Sequence, residues 1–588
     1  MLIILMLFTA LAYLVNRYWQ PILEKKMREV VLKGSDGLYK LDFSSAEFHV
    51  VRGSLVFNDI VLYPDTAVYN RLKKLGLAPN NLVELRVRRL TLLHMHPYRL
   101  YAEKRLDIDE IILRQPSLHV TYRLNHARDT SLKTARTAWQ KISKSLHAIH
   151  VDSILLGDIK FKYEDYSGNK VAVAELKEVN LSGRDLLIDS VSQTDKSRLL
   201  YFKEIVAEVN NYSSKTANGL YNYKINAIKF SSLTSQLNIS GLSLNPVNKA
   251  TFFNKSQHER YQLRLDSLQL NHFDFFNYYK YRLLHASSLA LSNGALEVMA
   301  NPVNHPGDGA DKVKSFPNVG LFRLNTDLKI DTVVVKNINA TYSEYNIKSN
   351  ETGSVYFNNT SGQLLNITTN AIALQKNNTA KVQLSTYFTN RGKLDLQLAF
   401  NLTDPMHALS IKGRLGPMDL RVLNPTIMPL GMVKVNTGSL KQFSFNIHAN
   451  QYQSTANIGL LYNNLNISIL KQDTLFDKLK KRQIASLYAN IFIVKHNNPD
   501  APGTQPRTAF VQLTRTPDMA FFKFMWQTLL TGIKPCAGLD KKTQEATAQL
   551  MKQQAINKEN RKVKKEQRKE RREERKKKRE EKATDTGF

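Results

Sequence analysis

Apolar and polar residues alternate along most of this chain, and four stretches repeat one fifteen-residue arrangement: apolar-x-apolar-Asp-x-apolar-x-apolar-x-x-apolar-x-apolar-x-apolar. The copies are Leu106-Ile108-Asp109-Ile111-Leu113-Pro116-Leu118-Val120, Ile149-Val151-Asp152-Ile154-Leu156-Ile159-Phe161-Tyr163, Leu263-Leu265-Asp266-Leu268-Leu270-Phe273-Phe275 and Leu328-Ile330-Asp331-Val333-Val335-Ile338-Ala340-Tyr342. The third lapses at Asn277. Period two marks a strand with one dry and one wet face. The period breaks at the Asp, where two residues separate apolar positions instead of one. Either the strand bulges there or its second half turns its apolar set to the other face. Looser copies begin near Leu55, Leu85, Leu200, Tyr223, Leu237 and Leu284. The first 340 or so residues therefore read as one β unit written repeatedly, which predicts a long, twisted, repetitive sheet.

Strand signals open at Phe48-Val50 and Leu55-Phe57 around the turn Arg52-Gly53, and Ile60-Leu62 continues to Pro64. Beyond residue 350 the strands lengthen. Val382-Leu384 and Leu394-Leu396-Leu398-Phe400 flank Asn390-Arg391-Gly392, and Leu409-Ile411, Phe443-Phe445-Ile447 and Leu465-Ile467-Ile469 keep the alternation of an antiparallel meander. Helical spacing is rare. It occurs over 24–34, over 128–148 through Ala135, Trp139, Ile142 and Leu146, and over 518–533 with Met519, Phe522, Trp526, Leu529 and Ile533 on one stripe. The expected division is an anchor at 1–23, a β-repeat region at 24–300, a Pro/Gly-containing loop at 301–317, a second β region at 318–516, an amphipathic helix at 517–538 and a charged tail at 539–588.

Apolar residues make up 42% of the 588, enough for a core, and 25 Tyr and 26 Phe against 3 Trp suit strand faces. The single cysteine, Cys536, excludes an intramolecular disulfide and a cysteine-based zinc site. The formal charge is +32. The tail from 541 carries 18 Lys and Arg against 9 Asp and Glu, a net of +9, so +23 remains on the body. Such a surface attracts anionic membrane, phosphate-bearing glycolipid or nucleic acid.

Met1 to Val15 is apolar apart from Thr9, and Tyr13, Tyr18 and Trp19 stand where an interfacial belt would lie. Counted through Leu23, a helix there spans about 30 Å of hydrocarbon. The expectation is an uncleaved anchor. A signal peptide is the other reading, since Ala10-Leu11-Ala12 has the form of a cleavage site. Arg17, Lys25, Lys26 and Arg28 follow the span and, by the positive-inside rule, favour a cytoplasmic body.

Catalytic signatures are missing: the chain has no Gly-rich phosphate loop, no serine nucleophile elbow and no His-Glu-x-x-His. The expectation is a non-enzyme without catalytic residues, cofactor or metal. His94 and His96 face the same way on a strand but lack a third ligand, and His147 and His150 flank a junction. The four repeat Asp residues read as bend or edge positions rather than an acid–base pair. Sequons at Asn180, Asn238, Asn339, Asn366, Asn401 and Asn466 are what an Asn-rich chain produces by chance. The tail lacks stacking aromatics, so nucleic acid is the weaker of its anionic partners.

The anchor running directly into Gly53-Ser54-Leu55-Val56-Phe57-Asn58-Asp59-Ile60-Val61-Leu62, the repeat ending Pro116-Ser117-Leu118-His119-Val120, and the run through Leu423-Asn424-Pro425, Gly438 to Phe445 and Gly459 to Ile467 resemble the AsmA-like envelope proteins of double-membraned bacteria. These are relatives of the repeating β-groove, or bridge-like, lipid-transfer proteins, and the resemblance covers most of 1–535. It implies a mainly β, elongated, antiparallel sheet curled into a groove, a single pass through the inner membrane, and a body in the periplasm. It also implies phospholipid or another acyl lipid as cargo and outer-membrane or other envelope proteins as partners. Physics agrees, because a one-faced sheet with few helices must curl, pair, or hold something apolar. The candidate groove-lining residues are Leu394, Leu396, Leu398, Phe400, Phe443, Phe445 and Ile447. Two rivals use the same strands: an envelope structural or assembly factor whose trough its own side chains fill, and a cytoplasm-facing adaptor that uses the basic tail.

Overall fold

The computed structural model describes residues 31–49, 53–125, 146–168, 171–195, 197–216, 218–256, 258–301, 311–324, 326–472 and 494–539. Scattered positions in 25–30, 139–143, 479–481 and 545–575 are described as well. The expected anchor over 1–23, almost all of the helix expected over 128–148 and most of the tail lie outside the described residues. Among the described residues, no helix is long and apolar enough to cross a membrane.

The strands are β1 (Tyr39–Asp42), β2 (Ser45–His49), β3 (Ser54–Pro64), β4 (Asn81–Met95), β5 (Arg105–Arg114), β6 (Ser117–Tyr122), β7 (Ala148–Asp165), β8 (Ala172–Ile188), β9 (Phe202–Lys215), β10 (Tyr221–Ser231), β11 (Gln236–Pro246) and β12 (Arg260–Asn271). They continue as β13 (Leu283–Ala300), β14 (Asp327–Asn346), β15 (Glu351–Thr368), β16 (Thr379–Phe388), β17 (Gly392–Asn401), β18 (Leu409–Leu415), β19 (Met418–Asp419), β20 (Val433–Ala449), β21 (Gln453–Gln472), β22 (Leu479–Lys481) and β23 (Thr508–Thr514). Short helices punctuate them: α1 (Thr66–Lys74), α2 (Pro97–Ala102), α3 (Phe252–Lys255), α4 (Phe275–Tyr281), α5 (Pro317–Phe322), α6 (Ala371–Lys376), α7 (Asn424–Gly431) and α8 (Phe521–Cys536). Asp65 caps α1 by accepting from the Ala67 and Val68 amides, and Asp274 caps α4 at the Asn277 amide.

Twenty-two of these strands form one mixed sheet, and β22 pairs only with the end of β21. The mainly β fold is as the alternation predicts; the purely antiparallel sheet is not. Most strands pair with the next in the chain, while β1 and β2 both pair with β3, β4 pairs with β5 and β6, β18 skips to β20 and β21 to β23; at two steps the pairing is parallel, β5 and β6 with β7, and β13 with β14. A parallel step requires the chain to return along the whole strand length, so residues 123–147 and 301–326 are crossovers. The second reaches far. The Lys312 amide donates to the Pro517 carbonyl, the Phe521 amide donates to Ser315 Oγ, and the Phe316 ring is fully buried against Phe521 and Phe524.

Where the sequence alternation breaks, the strands turn over. The break falls in two rows that run across the sheet. In the first, His94 faces Asp109, Asp109 faces Asp152 and Asp152 faces Asp185; further on, His272, Ser287, Asp331 and Asn366 continue the same arrangement. In the second, Asn211, Asn226, Gly241, Asp266, Asn293 and Asn337 stand side by side on β9 to β14. Regular pairing skips these rows, and left-handed backbone marks them: φ is +52° at His94, +51° at Asp185, +64° at Gly241, +53° at Asn293 and Asn337, and +58° at Asn366. Short polar side chains tolerate that conformation and β-branched ones do not. Each of the four repeat Asp residues therefore sits directly across from a left-handed residue. The side-chain sense reverses at each row, so apolar blocks on either side of it face the same way. On β13 and β14 three successive blocks share one face, with Ala286 against Ile330, Leu291 against Val335, and Leu296 against Ala340.

Candidate apolar groove

The apolar face is continuous across the sheet as well as along each strand. Directly opposed partners carry it from Ala46 through Phe57, Leu90, Leu113, Leu156, Leu181, Ala207, Phe230, Leu237 and Leu270 to Leu289. From Leu289 it continues through Val333, Leu364, Val382, Leu398, Ile411, Ile447 and Ala456 to Val511. No polar side chain interrupts this ladder between β2 and β23. At about 4.8 Å per strand its eighteen steps measure on the order of 85 Å along the sheet. None of its residues is fully exposed.

All seven residues expected to line the groove lie on this face and join one cluster, with Leu398 and Ile447 on the ladder itself. Leu394, Phe400 and Ile447 are buried; Leu396, Leu398, Phe443 and Phe445 are half-buried against them. Gly413 makes the space for Phe445, since a Cβ there would stand 2.1 Å from the ring. Helix α8 joins the same cluster through Phe521, Phe524 and Met525 and lies on β21 and β23, where the Ser454 and Thr528 hydroxyls bond at 2.6 Å and a Cβ on Gly532 would meet Ile458 at 2.3 Å.

The buried face of α8 is thus Phe521, Phe524, Met525, Thr528, Gly532 and Cys536. That corrects the expected stripe: Phe522 is 59% exposed and Trp526 41%, while Met519, Leu529 and Ile533 are half-buried at its flank. Close approach selects small residues, which hydropathy spacing undervalues. Towards the other end, helices touch β7 to β12 locally, α4 setting Phe275 4.6 Å from Phe230 and α3 setting Phe252 5.4 Å from Tyr221, and the ladder residues there are mostly half-buried.

Away from the apolar face, the first polar row is an ionic network. His96 Nε2 lies 2.9 Å and His94 Nδ1 3.5 Å from Asp109, and His150 Nε2 lies 3.3 Å from both Asp152 and Asp185. Two of the repeat carboxylates are therefore immediate neighbours, in a row across the sheet rather than along its edge. Asp107 is almost wholly buried beside them. Burial pushes its carboxyl up, but the Arg99 hydrogen bond at 2.8 Å and the Arg105 and His150 charges outweigh that and hold it below the ordinary range. Asp185 is held low in the same way, its burial outweighed by Arg198. Among the described residues, no three His, Cys, Asp or Glu side chains converge with the geometry of a metal site.

Asparagine was the signal missed. The Asn180, Asn339 and Asn366 sequons fall at the bends, where Asn180 accepts from the Asp158 amide, Asn339 accepts from the Asn359 amide, and Asn366 donates to the Asn377 and Thr379 carbonyls. No protein-family model matches this chain, and no curated protein matches it in sequence.

Proposed function

We propose that this protein is a membrane-anchored, AsmA-like periplasmic factor that moves acyl lipid in the service of the outer membrane. It holds acyl chains on the sheet's inner face and performs no covalent chemistry. The observation that carries this reading is the unbroken ladder from Ala46 to Val511. Each methylene exposed at a gap would cost about 0.8 kcal/mol, so a path for acyl chains has to be continuous in the way a core does not. The family resemblance of the strand motifs and the basic body, which suits phosphate-bearing lipid, support the same conclusion.

A photo-crosslinking residue placed at Leu237, on the inner face, should capture phospholipid from living cells, whereas one at exposed Arg264, on the outer face, should not. Absence of lipid at the inner position overturns the proposal. A reporter fused to the carboxy terminus tests the compartment, and a cytoplasmic signal removes the periplasmic part. The rival reading, an envelope assembly factor with a filled core, draws on one specific observation, the packing of α8 with the carboxy-terminal cluster. It predicts no lipid at Leu237 either.

A further inference from the structure

Arg282 stands where two distant parts of the curled sheet meet. It follows α4 in the left-handed conformation, φ +60°, and opens β13. Its guanidinium carbon lies 4.5 Å from the ring centre of Tyr122, 5.0 Å from Tyr163 and 5.5 Å from Tyr278. Tyr122 and Tyr163 are directly continuous with the inner-face residues of β6 and β7, beyond Val120 and Phe161, whereas Tyr278 belongs to α4 on the β12–β13 side. The contact is a neck: Asn80 Nδ2 donates to the Lys280 carbonyl at 3.2 Å, two hundred residues away in sequence.

Asp165 stands at the same neck, accepting from the Tyr163 hydroxyl at 3.4 Å, but among the described residues it makes no ion pair with Arg282. Three more deeply placed arginines each meet a carboxylate: Arg198 bonds Asp185, Arg507 bonds Asp500, and Arg515 bonds Asp311 and the Met519 carbonyl. Among the described residues, Arg282 has no carboxylate within ion-pair distance, and its side chain donates no hydrogen bond. Stacking on tyrosines occupies the faces of a guanidinium; its five N–H groups point outward in the plane and stay free for a planar or tetrahedral anion. Burial also pulls its pKa down, with Tyr122 opposing.

We infer that Arg282 is a docking point for the anionic head, phosphate or carboxylate, of an amphiphile whose chain lies along the apolar ladder. The inference rests on the groove reading and specifies which lipids the groove takes. A zwitterionic or anionic phosphate head fits; a neutral head leaves the cation unpaired. Charge-assisted, bidentate contact at a half-buried site is worth about tenfold in affinity or more.

The test uses the full chain loaded with diphenylhexatriene, a neutral apolar probe, and displaces it with dodecyl phosphate or with dodecanol. Dodecyl phosphate should act at about one-tenth the concentration of dodecanol. Inorganic phosphate added alone should leave the probe in place yet abolish that advantage, which sets the phosphate group itself at Arg282. In R282Q the two compounds should displace equally, and in R282K, which keeps the charge without the fork, the advantage should survive in part. Thermal unfolding reports whether each variant is folded, and R282K stands alone if R282Q is not. Equal displacement from the unmutated chain, or an advantage that persists in R282Q, overturns the inference and leaves the groove intact. Failure of both compounds to displace the probe overturns the groove and the inference with it.

Discussion

Asp266 faces Asn293 across the β12–β13 ladder, and Asn293 holds its backbone at φ +53° while regular pairing passes on either side of the pair. Leu265 and Leu268 reach the same face only because of this turnover. Asn293→Val places a β-branched side chain in the left-handed region and should destabilise the protein by about 1–2 kcal/mol, whereas Asn293→Gly should change stability by a few tenths. Urea unfolding midpoints of the two variants check this; equal losses would mean that the asparagine side chain, not the backbone, holds the bend.

How much of this could be read in advance depends on where each signal resides. The break in alternation at Asp109, Asp152, Asp266 and Asp331 is local, and it located the turnover rows correctly. The left-handed residue, however, lies across the ladder, at His94, Asp185, Asn293 or Asn366, and one strand's sequence does not name its partner. The parallel steps were hidden for the same reason, because strand direction is decided by crossovers whose composition resembles any other loop. The lining set from Leu394 to Ile447 was legible as one face, since alternation fixes parity; that α8 joins the same cluster from β21 and β23 was not. Thr528, Gly532 and Cys536 mark that contact by smallness rather than apolarity. Arg282 carried no signal in sequence at all.

The fit of α8 onto β21 and β23 gives a second expectation. Gly532→Ala forces a methyl against Ile458, which is 2% exposed and held by its own strand. It should cost about 1–3 kcal/mol, and the cost should shrink in an Ile458→Ala background, a coupling that a double-mutant cycle of unfolding free energies measures. Additive losses would show that the helix already stands off the sheet.

The two ends of the ladder should respond differently to a break. Leu398→Ala lies in the packed carboxy-terminal cluster and should lose about 2–4 kcal/mol of stability, the usual cost of a core cavity, while lipid capture at Leu237 is unchanged. Leu289→Asn, on the half-buried stretch, should lower capture at Leu237 several-fold while costing only about 1–3 kcal/mol. Loss of capture in Leu398→Ala alone would relocate the acyl path to the carboxy-terminal trough.

The Asp107 network sets the acid response of the amino-terminal end. Its carboxyl is held below its unfolded value by Arg99, Arg105 and His150 against the opposing effect of burial. A carboxylate lowered on folding stabilises the folded state fully above the unfolded pKa, about 3.9, and that contribution is lost as pH falls towards and through the folded value. Asp107→Asn should therefore be less stable than the unmutated protein at pH 6, with a constant difference down to about pH 5 that narrows below about pH 4. Urea midpoints taken at half-unit intervals from pH 7 to 3 test this. A difference between the two proteins that stays constant down to pH 3 would show that Asp107 acts through its shape and hydrogen bonds and not through its charge.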